Sequence, residues 1–216
     1  MKVSVVRNIL EANEAIAQKN RKLFKKKGIF TINLMSSPGA GKTTLLENTV
    51  EALKDKLRMA VIEGDIQSSV DARRIAKKGV QAIQINTDGG CHLDANMIQN
   101  VLAHLDLDNL DLLIVENVGN LVCPAEFDIG ENVKAMILSV TEGDDKPLKY
   151  PIMFRESSVL LINKIDLLPY TNCKINNIKK AVLKLNPKIK IFEVSCRTGE
   201  GLENWYKWIR QQTKKK

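Results

Sequence analysis

An apolar run from Ile29 to Met35 reads as a buried strand, and Ser36-Ser37-Pro38-Gly39-Ala40-Gly41-Lys42-Thr43 follows it directly. A helical pattern then extends from Lys42 to about Lys56. The order strand, glycine-rich loop, helix start is a strong constraint, because such a loop turns consecutive backbone N–H groups inward around a phosphate. The helix N-terminus adds the positive end of its dipole. In this reading Ser37, Gly39, Ala40, Gly41 and Thr44 line the cradle, Lys42 reaches the β- and γ-phosphates, and Thr43 ligates Mg²⁺. The usual pattern is G-x-x-x-x-G-K-[ST], and Ser36 stands here in place of its first glycine.

Further strand-like runs span Met59 to Glu63, Val80 to Ile85, Leu112 to Glu116, Val133 to Val140, Val159 to Asn163 and Ile189 to Val194. Helical patterns separate several of them, near Ser69–Lys78, Leu93–Leu105, Lys174–Leu185 and Leu202–Gln212. The alternation predicts an α/β fold, a mostly parallel sheet with helices on both faces. In such sheets ligands gather at the carboxyl ends of the strands. Ahead of this body, Ile9, Ala12, Ile16 and Leu23 recur at helical spacing, so residues 1–28 are expected to form a basic amphipathic helix and 29–216 one P-loop domain. That helix can lie on the body, on a partner or on an acidic membrane surface. No internal repeat or domain-splitting linker interrupts the chain.

The net charge of +8 raises the question of nucleic acid. Residues 1–28 hold eight Lys/Arg against two acids and residues 205–216 hold five against none, which leaves 20 basic and 23 acidic residues in between. The body is slightly acidic, and no aromatic stacking pattern accompanies the basic ends, so neither nucleic acid nor membrane is expected as a partner. No apolar run approaches the roughly 20 residues needed to span a bilayer, and the N-terminus lacks a signal-peptide pattern. A cytoplasmic location is expected. Cys91, Cys123, Cys173 and Cys196 are dispersed, a usage that suits metal or reactive thiols better than a disulfide framework.

Asn163-Lys164-Ile165-Asp166 closes a strand and matches N-K-x-D, the base-reading element of GTPases. A carboxylate at Asp166 accepts from both the ring N–H and the exocyclic amine of guanine, which adenine does not present together. Lys164 would lie along the base plane, and Asn163 would brace the loop. Ser195, Cys196 and Arg197 follow the last strand, where GTPases place a backbone contact to the guanine carbonyl. Glu116-Asn117-Val118-Gly119 takes the place of a D-x-x-G switch. There Glu116 holds Mg²⁺ through water and the Gly119 amide senses the γ-phosphate. Asp65, ending the second strand, orients the Mg²⁺ shell or the attacking water, or else caps the helix after it. Lys42, Asp65 and Glu116 are thus the candidate catalytic residues. No glutamine is placed to orient water, so slow turnover is expected.

These motifs, with Cys91-His92-Leu93, the run Asn117 to Pro124, Glu142-Gly143-Asp144-Asp145-Lys146 and Lys149-Tyr150-Pro151, resemble the HypB family, the nickel-insertion GTPases of [NiFe]-hydrogenase maturation. The resemblance covers nearly the whole chain in order. It implies a metallochaperone binding GTP/GDP and Mg²⁺, carrying Ni²⁺ or Zn²⁺, and forming a homodimer with GTP. It further implies a HypA-type nickel carrier and the hydrogenase large-subunit precursor as partners. Some relatives have an N-terminal cysteine cluster or a histidine-rich stretch, and neither occurs in this sequence. A urease-type nickel accessory GTPase, a P-loop small-molecule kinase and a metal-storage module are the competing readings. Only two histidines argue against storage.

The residues themselves also point to metal. Cys91, His92 and Cys123 can gather near the nucleotide, and thiolate with imidazole suits Ni²⁺ and Zn²⁺ rather than Mg²⁺ or Ca²⁺. The same three residues can equally be a buried cysteine pair with a capping histidine. His104 and Cys173 are expected to be structural or surface residues. Lys146, in the charged Glu142–Pro151 loop, is expected either to cross to a second subunit or to be merely exposed. On the base-reading argument, Asp166→Asn, with one acceptor and one donor, should weaken GTP and favour xanthine nucleotides. A nucleotide competition assay checks this, and unchanged GTP binding would remove Asp166 from the assignment.

Overall fold

The computed structural model describes residues 2–65 and 70–214. Ser69, where the third helical pattern starts, and Lys215-Lys216 of the basic tail lie outside them. Seven strands, β1 (Phe30–Ser36), β2 (Met59–Asp65), β3 (Gln81–Asn86), β4 (Leu112–Glu116), β5 (Val133–Ser139), β6 (Val159–Asn163) and β7 (Lys190–Glu193), form one sheet in the order β3-β2-β4-β1-β5-β6-β7. Every pairing is parallel. The interior strands are buried along nearly their whole length because helices cover both faces, whereas the edge strands β3 and β7 are only partly buried.

Alternate residues of each strand serve separate cores. Ile32 and Leu34 pack with Leu45, Leu46 and Val50 of α2 (Lys42–Leu53) and with Trp205 and Ile209 of α9 (Leu202–Thr213). Within that layer the Trp205 indole donates to Thr49 Oγ1 at 3.0 Å, so its one polar atom is satisfied. On the other face, Met136 and Leu138 meet Phe154 of α7 (Pro151–Glu156) and Ile178 and Val182 of α8 (Ile175–Leu185). Ile62, Leu113 and Val115 meet Ile98 of α4 (Ala95–Val101) and Phe24 of α1 (Lys2–Lys27). The short helices α3 (Val70–Ala76), α5 (Cys123–Glu126) and α6 (Lys146–Lys149) complete the set.

Three elements differ from the sequence reading. On α1 the side buried against the body is Asn13, Ala17, Asn20 and Phe24, while Ile9 and Ala12 are exposed. The asparagines are buried because they bracket backbone: Asn13 Nδ2 donates to Asp128 O (2.8 Å) and its Oδ1 accepts from Ala95 N (2.9 Å). Asn20 Nδ2 reaches Ala95 O (2.9 Å) and Ile129 O (3.2 Å). The helix expected over Leu93–Leu105 begins only at Ala95, where Asp94 caps it by accepting from Met97 N, and it tightens to a 3₁₀ turn at Leu102–His104. The Glu142–Pro151 segment is not an open loop. It holds the end of a 3₁₀ turn (Val140–Glu142), then α6 and the start of α7.

Beneath α1, Glu131 is buried and accepts from Ile129 N at 2.8 Å. Burial, and then the neighbouring Asp128 charge, pushes its carboxyl from an ordinary 4.5 up to about 7, with Lys134 only partly opposing. Asp128, despite its own burial, is held below the usual carboxylate range by Glu131 and Arg21. Because the folded value of Glu131 lies above the unfolded one, its contribution is full below about 4.5 and is lost as pH rises through about 7. Glu131→Gln keeps the acceptor without the charge. Its stability relative to the parent should therefore rise between pH 5 and pH 8, as read by urea unfolding at both; parallel profiles would contradict the assignment.

Candidate functional site

The strand ends converge as the parallel topology requires. β1 lies between β4 and β5, and its C-terminus feeds the phosphate loop. Ser36, at the position of the missing glycine, is fully buried: its Oγ donates to Ser37 O at 2.5 Å and accepts from Lys42 Nζ at 3.0 Å. Gly41 has φ 101°, and a Cβ there would lie 2.5 Å from Asn163 Nδ2. Only glycine permits the base-side loop to press so closely on the phosphate loop. Ser37 Oγ donates to the Glu142 carboxylate, whose other oxygen accepts from Ser139 N at 2.9 Å. Glu142 is therefore a member of the phosphate-loop surroundings that sequence reasoning missed. The two residues are 105 positions apart, and no local pattern signals the contact.

A cleft of about 310 Å³ sits on one side of this loop, lined by Lys42, Thr43, Asp65, Glu116 and Gly119 among others. Within it Thr43 Oγ1 donates to Glu116 Oε1 at 2.9 Å, which brings together two hard oxygen ligands beside Asp65. That donor set fits Mg²⁺. A second cleft, of about 390 Å³, opens on the other side and is lined by Thr44, Asn163, Lys164, Asp166, Cys196 and Arg197 with neighbours. Asn163 ties its walls together: Nδ2 donates to Ala40 O (2.9 Å), and Oδ1 accepts from Lys164 N (2.7 Å) and Cys196 N (3.1 Å). Lys164, at φ 62°, donates Nζ to Gly39 O at 2.7 Å, and Asp166 Oδ1 accepts from Ser195 Oγ at 2.6 Å. Burial pushes the Cys196 thiol up to about 12.

Cys91 and His92, between β3 and α4, meet Cys123 at the start of α5, and their ligand atoms all fall within 4.8 Å of one another. The Cys91 and Cys123 sulfurs are 3.1 Å apart, and Cys91 Sγ is 3.7 Å from His92 Nδ1. The His92 ring packs on Phe127 with centroids 3.9 Å apart, and desolvation, with Asp94 opposing, keeps its imidazole below the ordinary value. The downward shift favours the neutral imidazole, the form that ligates metal. The hydrogen bond to Cys91 and then burial raise the Cys123 thiol above its ordinary value. Cys91 is exposed and Cys123 partly so, which leaves an approach from solvent. His104, in the 3₁₀ turn after α4, is exposed, and Cys173 is half-buried beside α8; neither joins the cluster.

The model of the CobW/HypB/UreG nucleotide-binding domain matches residues 30–193. The hydrogenase maturation factor HypB of Escherichia coli K12 is 50% identical over 205 residues, which cover 95% of this chain and 71% of that protein. The chain belongs to the HypB family. Among solved structures, HypB from Helicobacter pylori in complex with nickel aligns with TM-score 0.89 at 39% identity, covering 94% of this chain and 96% of that one. The hydrogenase maturation factor HypB from Archaeoglobus fulgidus aligns with TM-score 0.88 at 37% identity, over 94% and 99%. No helix among the described residues of this HypB-family chain is long and apolar enough to cross a membrane.

A soft metal ion at this cluster must displace the thiol protons of Cys91 and Cys123. Because the Cys123 thiol is raised above its ordinary value, it stays protonated at neutral pH without metal, so binding should release protons and nickel affinity should climb as pH rises. Calorimetry in buffers of different ionisation heat measures this. Binding with no proton release would place the metal on other ligands.

Proposed function

We propose that the chain is a GTP-hydrolysing metallochaperone that helps insert nickel into [NiFe]-hydrogenase, with nickel or zinc as cargo at Cys91, His92 and Cys123. The observation carrying this reading is the coexistence, at the strand ends of one sheet, of an N-K-x-D cleft, a phosphate loop and a two-thiol, one-imidazole cluster. A small-molecule kinase needs neither the first nor the last. The relatives are hydrogenase maturation factors, one of them solved with nickel.

In this reading Asp166 selects guanine, Lys164 shields the base, and the amides of the loop at Ser195–Arg197 meet its carbonyl. Lys42 and the amides from Gly39 to Thr44 hold the phosphates. Thr43, Glu116 and Asp65 would hold Mg²⁺, which supplies charge neutralisation across the β- and γ-phosphates. Asp65 lies within reach of the phosphate cleft to orient an attacking water. GTP brings two copies together through the Glu142–Pro151 segment, with Lys146 on α6 as the crossing residue. The protein works in the cytoplasm with a HypA-type nickel carrier and the hydrogenase large-subunit precursor.

Hydrolysis by the isolated protein should be slow, on the order of 10⁻⁴ to 10⁻² per second, as for GTPases that lack a group supplied in trans. Lys42→Ala should abolish it, and Lys146→Ala should lower the dimer fraction with a non-hydrolysable GTP analogue. Turnover assays and size-exclusion chromatography with metal analysis read all three. Many turnovers per second would contradict the slow-GTPase reading, and ATP competing as well as GTP would contradict the selection of guanine by Asp166.

A further inference from the structure

The reading above needs nucleotide and metal to sense each other, and a buried asparagine lies between them. Asn117 follows the last residue of β4 and is almost wholly buried, as is Asn33 on the neighbouring strand β1. Asn117 N donates to Leu34 O at 2.9 Å and Nδ2 donates to Asn33 Oδ1 at 3.2 Å, so backbone and side chain are both anchored to the strand that feeds the phosphate loop. The single oxygen Oδ1 accepts two backbone amides, Val118 N and Leu93 N, each at 2.9 Å. Val118 leads to Gly119, and a Cβ on Gly119 would lie only 3.0 Å from Pro38 N of the phosphate loop. Leu93, fully buried, follows His92 directly and Cys91 by two positions.

One carboxamide thus holds the phosphate-sensing segment and the metal-ligand segment at the same point. Cys123 is joined to Gly119 through the chain itself, whereas Cys91 and His92 are joined to it only across space. Besides the contact between the Cys91 and Cys123 sulfurs, two ties make that junction: the buried bond from Leu93 to Asn117, and a longer, exposed one from Asn120 Nδ2 to Cys91 O at 3.3 Å. The buried tie is the stiffer, because breaking it strands a backbone donor without water.

We propose that Asn117 is the positioning residue that couples the nucleotide to the metal. Movement of Gly119 toward or away from a γ-phosphate shifts the Asn117 oxygen, and Leu93 carries that shift to Cys91 and His92. Their spacing from Cys123 changes with the nucleotide. Asn117 lines the phosphate cleft, but its carboxamide is engaged by Leu93 N, Val118 N and Asn33 Oδ1, so its loss should act on the coupling before it acts on either affinity alone. The inference rests on the metallochaperone reading, and its test separates the two.

Nickel affinity is measured by competition with a chromophoric chelator, in GDP and in a non-hydrolysable GTP analogue, for the parent, Asn117→Ala and Asn120→Ala. The parent ratio should fall in the range of about 5- to 150-fold usual for coupled sites. Asn117→Ala should bring it to within about twofold of unity while still binding GDP, and Asn120→Ala should keep most of it. A parent ratio of one would overturn the coupling reading itself. A parent ratio that Asn117→Ala leaves intact would overturn only the role of Asn117. Should Asn117→Ala not fold, amide exchange on the parent decides: Leu93 and Val118 protection shifting together between nucleotide states supports the relay, and an unchanged Leu93 amide refutes it.

Discussion

The parallel hydrogen bonding of β1 between β4 and β5 is the constraint on which the rest depends. It aligns Leu34 with Glu116 and Ser36 with Ile137, so the strand that feeds the phosphate loop runs past the end of the strand that carries the switch acid, from Leu34 on to Ser36. β6 lies beyond β5 in the same direction and delivers Asn163 beside Gly41. A parallel sheet puts all its outgoing loops on one edge, and here that edge holds phosphate loop, base loop and thiol cluster together. Charge follows the same geometry, since the cation Lys42 and the acids Glu116 and Asp65 line one cleft while the base cleft opens on the other side of the loop.

Buried asparagines do much of the tying. Asn13 and Asn20 bracket α1 to the start of α4 and to the segment after α5, Asn117 joins switch to metal loop, and Asn163 joins base loop to phosphate loop. A carboxamide offers donors and an acceptor without charge, so it can satisfy backbone groups on two segments at once at no cost of burying an ion. Apart from Ala95, which opens α4, the backbone groups these side chains hold lie outside the strands and helices. α1 thereby grips both sides of the cluster, at Ala95 and at Asp128–Ile129.

Those same asparagines mark the limit of what was legible in the sequence. The phosphate loop, Asn163-Lys164-Ile165-Asp166 and the β1 and β4 runs could be read because local chemistry and apolar periodicity agree there. The buried side of α1 could not, because polar Asn13 and Asn20 occupy it and a periodicity search follows Ile9 and Ala12, which face solvent. The gathering of Cys91 and His92 with Cys123 was legible, because soft ligands in loops after the strands of a parallel sheet can meet, and the β3–α4 and β4–α5 connections do bring them together. Glu142 beside Ser37 is a contact between distant segments with no motif behind it. The short helices after β5 escaped notice because one or two turns starting at Lys146 or Pro151 leave too few residues for a helical period.

The central claim is that nucleotide state alters the metal site through the packed strand ends. X-ray absorption at the nickel edge, on nickel-loaded protein with GDP and with a non-hydrolysable GTP analogue, tests it most directly. The account predicts a shell containing the two thiolates of Cys91 and Cys123 and the His92 imidazole in one nucleotide state, and a changed sulfur or nitrogen count or distance in the other. Identical spectra in the two states would contradict it.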